Sequence, residues 1–303
     1  MKTTERHIAL ILEQYQVTAV EIAQSPKGHT LTAAGSYASE LNFDEQDMFS
    51  QPGSSQRERI FALELQSFFK SIGAGARTFA FGLNSRMVVA QSLPTDGSLN
   101  ETELDQHALW ELSQYSTVKN PNAYNVGAMV LDSNAETQVN TTIIVAVRKI
   151  FLNFLANVCK QLSGNLNIVD VDHFGAENAL NFNYPEVSAK RVLLVGVDES
   201  SFDASVMVGG ETKDFVTFEW STENDMAQLA EYAKSVSAEA VYFHGRIVSQ
   251  AMVNSLKTLS SIPAEIVDPF RKVALPHTLK NYRDVESRKQ EYASAIGLAL
   301  RAE

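Results

Sequence analysis

The histidine and serine side chains of this sequence do not fall into the spacings that are typical of catalytic or metal sites. No histidine pair follows the His-Glu-x-x-His pattern of zinc sites, and both the G-x-S-x-G nucleophile elbow and the G-x-x-x-x-G-K-[ST] phosphate loop are absent. His244 follows a predicted strand, where a buried imidazole with satisfied hydrogen bonds is the more common outcome. The sequence therefore contains none of these motifs for a zinc site, a serine nucleophile or a phosphate-binding loop.

Cys159 is the only cysteine, which excludes an internal disulfide and a cysteine-based zinc site and is typical of a cytosolic protein. It lies in an apolar stretch, residues 151–159, whose spacing is helical. Because this stretch is apolar, we expect a buried thiol that serves packing.

The chain has 303 residues, of which 45% are hydrophobic, and a formal net charge of −11. Its acidic residues are spread along the chain, which argues against nucleic-acid binding, because that needs clustered Lys and Arg. The apolar run before Glu13 is too short for a signal peptide or a membrane span. We therefore expect any membrane association to occur through a partner.

The sequence repeats one plan twice, which indicates duplication. Alternating and apolar runs bounded by turn residues predict three strands at 7–12, 16–23 and 30–38, and three more at 191–197, 203–209 and 214–220. A predicted helix and a further strand follow each triplet, at 56–71 and 77–83 in the first half and at 223–237 and 239–243 in the second.

The first half holds an extra segment between a strand that ends near Val89 and a strand at 165–171. It opens with Leu93-Pro94 and predicts a small α+β subdomain, with helices at 102–115 and 148–162 and strands at 124–131 and 139–147. A helix at 172–180 returns to the main plan, and the chain closes with a helix at 249–259, a strand at 264–267 and a single helix at 285–300. The proposed units are a first lobe (1–91 and 165–188), an inserted subdomain (92–164) and a second lobe (189–303).

Several segments, in the correct order along nearly the whole chain, resemble PilM-type proteins. These are the cytoplasmic actin-like components of type IV pilus assembly, related to FtsA within the actin-like ATPase (ASKHA) superfamily. The matching segments are 17–22, 93–94 with 103–104 and 110–111, 144–149, 169–180, 262–270 and 292–301.

The resemblance implies an α/β, actin-like (ribonuclease H-like) duplicated two-lobe fold with a small α+β subdomain inserted in the first lobe. It also implies that the protein binds the cytoplasmic N-terminal segment of a PilN-like inner-membrane protein, in a groove between the first subdomain and the inserted one. The protein would then be cytoplasmic, recruited to the inner face of the inner membrane, and self-association through the subdomains is a further implication.

The first nucleotide-binding hairpin of the superfamily is degenerate in this chain. Its Asp-x-Gly positions fall on Ile11, Leu12 and Glu13, and its usual lysine falls on Thr18. A Glu13 carboxylate about 4 Å from a phosphate charge would cost on the order of 4 kcal/mol at an effective dielectric constant near 20. In this hairpin, the residues of the family that would hold the metal and the phosphates are therefore replaced. Ile11 is aliphatic, Thr18 has a hydroxyl group in place of the lysine amine, and Glu13 carries the same sign of charge as a phosphate.

The second hairpin carries Gly196 and Asp198 in exchanged order, and the adenosine-side turn keeps Gly245 but continues with Arg246. We expect no ATP hydrolysis, weak nucleotide binding at best, and no resident cofactor. In the alternative, Asp198 carries a metal and Arg246 contacts a base or a phosphate, so that the protein is an ATP-binding switch of the same machinery. A cytoplasmic platform component similar to those of type II secretion is a further alternative.

Overall fold

The computed structural model describes residues 6–26, 28–45, 49, 51, 53–116, 118–219 and 225–301. The first lobe contains a five-stranded sheet in the order β3-β2-β1-β4-β8. Its strands are β1 (Arg6–Glu13), β2 (Gln16–Ser25), β3 (Gly28–Ala38), β4 (Thr78–Leu83) and β8 (Asn165–Val171), and the helix α1 (Ser54–Ile72) joins β3 to β4. The first three strands form an antiparallel meander, and β4 and β8 continue the sheet in parallel.

The second lobe repeats this arrangement in a sheet of order β11-β10-β9-β12-β13. Its elements are β9 (Arg191–Val197), β10 (Ser201–Val208), β11 (Glu211–Glu219), α5 (Asp225–Ser235), β12 (Ala240–His244), α6 (Gln250–Ser260) and β13 (Ala264–Ile266). The predicted duplication is confirmed by the matching strand orders. Of the predicted strand 214–220 and helix 223–237, residues 220 and 223–224 lie outside the described residues.

The inserted subdomain is a three-stranded antiparallel sheet in the order β5-β7-β6, with one helix on it. Its elements are β5 (Val89–Asp96), α2 (Glu101–Gln114), β6 (Tyr124–Asn134) and β7 (Val139–Arg148). The prediction of a strand ending near Val89 is wrong, because β5 begins there and pairs with β7 over its full length. Pro94 is compatible with β5 because β5 is an edge strand, which is hydrogen-bonded to a neighbouring strand on one side only.

The helix α3 (Lys149–Gln161) packs beside α1 on the first-lobe sheet. Its Phe154 ring lies 4.4 Å from that of Phe49 and 5.9 Å from that of Phe61. Cys159 is buried in the same cluster, as predicted, and burial raises the pKa of its thiol to about 12. The boundaries 92–164 remain a prediction, and α3, which falls inside them, contributes to the first-lobe core.

The helices α4 (Asp172–Asn183) and α8 (Ala293–Arg301) pack closely against each other. A Cβ atom on Gly297 would overlap the carbonyl oxygen of Gly175, so both positions need glycine for the two backbones to approach. In the ranges that the structure describes, no helix has both the length and the apolar character needed to cross a membrane.

The prediction of a single helix over 285–300 is wrong. The chain forms a short helix, α7 (Tyr282–Ser287), then a 3₁₀ turn over Lys289–Tyr292, and then α8. The Gly245 N–H donates to the Gln290 carbonyl at 3.2 Å, and the Tyr292 ring is fully buried, so the turn is fixed in place. Because the chain is interrupted before it, α8 is a separate helix from α7. Its residues from Ala293 to Ala299 are buried.

Candidate functional site

The two hairpin turns that follow β1 and β9 lie at the cleft between the lobes. Two small cavities, of about 120 and about 30 Å³, lie there. All the predicted nucleotide-site positions except Thr18 line one or both of them, namely Ile11, Glu13, Gly196, Asp198, Gly245 and Arg246. Thr18 is buried in β2 opposite Ile11. The structure therefore brings these positions together where the resemblance implies a nucleotide site.

Side chains of the protein occupy the space around the central glycine of this cleft. A Cβ atom on Gly196 would lie 2.7 Å from Nε2 of His244 and 3.0 Å from Nδ1 of His173. The two rings lie within hydrogen-bond distance, with His244 Nε2 at 3.2 Å from His173 Nδ1. Burial lowers the pKa of His244 to about 3 and that of His173 well below its usual value, so both are neutral at physiological pH. Ile11, which is also buried, presents an aliphatic side chain to the same cavity.

One cross-lobe contact at the cleft is made by Arg246 of the second lobe. Its Nε lies 3.5 Å from a carboxylate oxygen of Glu13 in the first lobe, and its Nη2 donates to Glu199 at 2.8 Å. The preceding Gly245 has φ of 114°, where a side chain would be strained, and a Cβ atom there would lie 2.6 Å from the Val197 carbonyl oxygen. This turn therefore directs Arg246 across the cleft.

A second cross-lobe contact runs in the opposite direction, from Arg86 of the first lobe. Its guanidinium lies 2.9 Å from Asp198 and 3.4 Å from Asp44, and it donates to Ser200 Oγ at 3.0 Å. The Asn84 side chain also donates to Asp198, at 3.3 Å. Sequence reasoning missed Arg86 and Asn84, because a 3₁₀ turn after a strand has no distinguishing residue spacing. We call the contacts of Arg86 and Arg246 the interlobe arginine bridges.

The interior of the cleft is rich in carboxyl groups with raised pKa values. Burial, assisted by the charge of Asp198, raises the pKa of Glu13 to about 7, although Arg246 opposes the shift. Burial raises the pKa of Asp203 to about 6, and burial together with the charge of Asp203 raises that of Asp172 well above its usual value. Among the described residues, no group of three or more His, Cys, Asp and Glu side chains is arranged to hold a metal ion. The carboxyl groups in the cleft therefore hold their protons more readily than free carboxyl groups do.

A larger cavity, of about 420 Å³, lies between the inserted sheet, the helix α4 and the second lobe. We call it the subdomain groove. One wall is formed by β6 and β7 and is mostly apolar. The facing wall is formed by polar and charged residues together with Phe174. The first wall contains Gly127, Ala128, Met129, Leu131, Ile143 and Val145, and the second contains Asp170, Phe174, Glu177, Asn178, Asn181, Thr212 and Arg301.

The charged residues of the groove differ in how they are paired. Arg301 forms an ion pair with Asp170. The Glu177 Oε2 atom accepts a hydrogen bond from Thr212 Oγ1 at 2.6 Å, whereas its buried Oε1 atom has no hydrogen-bond partner in the described part of the chain. Burial raises the pKa of Glu177 to about 7. The resemblance located segment 169–180, but it did not identify groove residues, because strand spacing alone does not show which face a subdomain leaves open.

Comparison with solved structures defines the class of fold. No family model matches the sequence, and no curated protein matches it. A Bacteroides thetaiotaomicron protein of unknown function with an actin-like ATPase fold matches with a TM-score of 0.52 and 13% identity, covering 88% of this chain and 93% of that one. The ethanolamine utilization protein EutJ from Carboxydothermus hydrogenoformans matches with a TM-score of 0.51 and 8% identity, covering 98% of this chain and 90% of that one. The chain has the actin-like, two-lobe fold.

A higher similarity is found with a chain of the PilM-PilN type IV pilus biogenesis complex. The TM-score is 0.75 at 14% identity, and the match covers 99% of both chains. It confirms the predicted actin-like fold, and it agrees with the resemblance of the sequence to PilM-type proteins.

Proposed function

We propose that this protein is a non-catalytic, PilM-like scaffold of type IV pilus assembly. In this proposal it binds the cytoplasmic N-terminal segment of a PilN-like inner-membrane protein in the subdomain groove. It would act in the cytoplasm and reach the inner face of the inner membrane only through that partner. The observation that carries the proposal is the groove itself, which lies between the first lobe and the inserted subdomain, where the resemblance implies peptide binding.

The size and chemistry of the groove suit a short peptide. Its volume of about 420 Å³ falls in the range of pockets that take small ligands or a few side chains. The apolar surfaces of Ile143, Val145 and Phe174 can bury apolar side chains, while the carboxyl group of Glu177 offers an acceptor. The net charge of −11 favours association with a basic segment. The full-length similarity to a chain of a PilM-PilN complex supports the same partner.

The interlobe cleft supports the non-catalytic part of the proposal. A nucleotide would need to displace Arg246 from Glu13 and Arg86 from Asp198, and its phosphates would then face the carboxylates released from those pairs. At about 4 Å and an effective dielectric constant near 20, each such contact would cost on the order of 4 kcal/mol. The alternative of an ATP-binding switch therefore requires the interlobe arginine bridges to open, so that Arg246 can exchange the Glu13 carboxylate for a phosphate.

A substitution at Gly127 tests peptide binding in the groove. A Cβ atom at Gly127 would have no neighbour within 4 Å, so Gly127→Val adds a side chain to the groove wall without disturbing the fold. We expect this variant to keep the thermal stability of the wild type and to bind a synthetic PilN-like N-terminal peptide at least about tenfold more weakly, a loss of about 1.4 kcal/mol, in isothermal titration calorimetry.

The matched control is Gly75→Val, at a loop glycine outside the groove whose Cβ position is also open. This variant should bind the peptide as the wild type does. Equal affinity of Gly127→Val and wild type would place the peptide elsewhere and contradict the proposal. Self-association remains a separate expectation, and sedimentation velocity of the purified protein over a range of concentrations tests it.

A further inference from the structure

Three consecutive residues of β6 line the subdomain groove, namely Gly127, Ala128 and Met129. Successive side chains of a strand point to opposite faces of its sheet, so one face cannot present three neighbours to the same cavity. Because Gly127 has no side chain, the groove can reach the β6 backbone at this point of the sheet face. In the sheet order β5-β7-β6, β6 pairs with β7 on one side and with no other strand among the described residues.

We propose that the partner segment binds as an extended strand that adds to the free edge of β6. This inference rests on the proposed function, in which the groove takes a peptide, and it specifies how the peptide is held. Backbone hydrogen bonds to β6 would supply a part of the affinity that does not depend on sequence, and side chains in the groove would supply specificity.

The surroundings of this edge suit a bound strand better than solvent. Met129 and Val130 of β6 are 59% and 40% exposed, so the strand at the free edge carries two exposed apolar side chains. An exposed apolar edge strand is an aggregation risk that proteins usually block with charges, bulges or covering segments. The edge of β3, by comparison, is covered, because Leu31 N–H donates to the carbonyl of Ala274 and that of Ala274 to the carbonyl of His29. The pairing of β6 is irregular between Val130 and Asp132, so the regular part of its edge, residues 124–130, is the part that is available to a segment from outside the chain.

The groove also constrains the side chains of the added strand. On the face shared by Gly127, Met129, Ile143 and Val145, the missing side chain of Gly127 leaves room for a large apolar residue of the neighbouring strand. On the facing wall, the Oε1 atom of Glu177 lacks a hydrogen-bond partner in the part of the chain that the structure describes. We therefore expect the groove-facing positions of the partner segment, which recur at every second residue, to include a large apolar side chain and a basic one.

The test is a backbone N-methylation scan of a synthetic peptide with the sequence of the PilN-like cytoplasmic N-terminal segment. Isothermal titration calorimetry with the full chain measures the affinity of each N-methylated peptide. Methylation at residues whose N–H pairs with β6 should weaken binding at least about tenfold, whereas methylation at the residues between them should change it by less than about threefold, giving a period of two.

The outcomes separate this inference from the proposed function. If the unmodified peptide binds and the losses do not alternate, strand addition is refuted while peptide docking stands. If the unmodified peptide does not bind, the proposed function fails and the inference with it. Amide hydrogen exchange of the full chain gives an independent readout, since strand addition should newly protect alternate amides of β6, and unchanged exchange there in a peptide-bound protein would also refute it.

The expected basic side chain has its own test. Replacing the basic residues of the peptide with glutamine should weaken binding to the wild type by more than it weakens binding to Glu177→Gln, because the charge pair is already lost in that variant. Equal losses in the two proteins would refute the assignment of Glu177 as the acceptor for a basic side chain.

Discussion

Neutralising Glu13 should stabilise the protein at alkaline pH, although the change removes one of its cross-lobe ion pairs. Burial and the charge of Asp198 raise the pKa of Glu13 from 4.5 to about 7, which means that the folded state binds the proton more tightly than the unfolded state. The stability that this proton contributes is fully present below the unfolded pKa of 4.5, and it is lost as the pH rises through the folded pKa of about 7.

The pKa shift sets an upper limit on the effect. At about 1.4 kcal/mol per pKa unit, the ionised Glu13 side chain disfavours the folded state by at most about 3.5 kcal/mol. This figure already includes the attraction of Arg246, which at its exposure of 38% contributes no more than about 1 kcal/mol. Since glutamine imitates the protonated carboxyl group, Glu13→Gln should raise the free energy of unfolding by about 1 to 3 kcal/mol near pH 8 and by much less near pH 5.

Urea unfolding of the wild type and Glu13→Gln at the two pH values measures this difference. The control is Glu199→Gln, which changes the other carboxylate that pairs with Arg246 at a position that is 55% exposed, and it should alter stability by no more than about 0.5 kcal/mol. A loss of stability in Glu13→Gln near pH 8 would show that the pair with Arg246 outweighs the burial of the charge, and it would refute this reasoning.

Three further predictions concern the cleft, the helix pair and the pH response. Arg86→Met should lower the free energy of unfolding by roughly 1 to 3 kcal/mol in urea, because Asp198 and Asp44 lose their cation, and an unchanged value would contradict a bridging role. Gly297→Ala should cost about 3 kcal/mol or more, because its Cβ atom would overlap the backbone of α4, and a melting temperature close to that of the wild type would contradict this packing. Glu177→Gln should raise the melting temperature relative to the wild type by more near pH 8 than near pH 4.5, because the stability that the Glu177 proton contributes is present below the unfolded pKa of 4.5 and is lost as the pH rises through the folded pKa of about 7. An equal difference between the two proteins at both pH values would contradict the last prediction.

The regular parts of the fold are predictable from the sequence because their patterns are local. Alternation identified the strands of both meanders, and helical spacing identified α1 and α3, including the burial of Cys159. The strand β5 was not recognised because Pro94 is typical of a turn, and only its place at a sheet edge makes it compatible with a strand. The break before α8 was missed because it depends on a hydrogen bond between Gly245 and Gln290, which are distant in the sequence.

The site could be predicted only where the resemblance supplied positions. Glu13, Asp198 and Arg246 were placed at the cleft before their contacts were known, and the structure adds that the two acids are paired with arginines from the opposite lobe. The subdomain groove was implied, but its residues were not, because Gly127 and Glu177 are brought together only by the packing of the inserted sheet against α4. The sequence around a single strand glycine such as Gly127 does not predict which element of the fold lies opposite it.

In the proposed function, the subdomain groove binds a peptide and the interlobe cleft does not bind a nucleotide. The most direct test is isothermal titration calorimetry of the full chain with the synthetic PilN-like N-terminal peptide, and separately with ATP and Mg²⁺. We expect saturable binding of the peptide and no measurable heat of binding with ATP at protein concentrations in the high micromolar range. Micromolar binding of ATP without binding of the peptide would contradict this expectation and would identify the protein as a nucleotide-dependent switch.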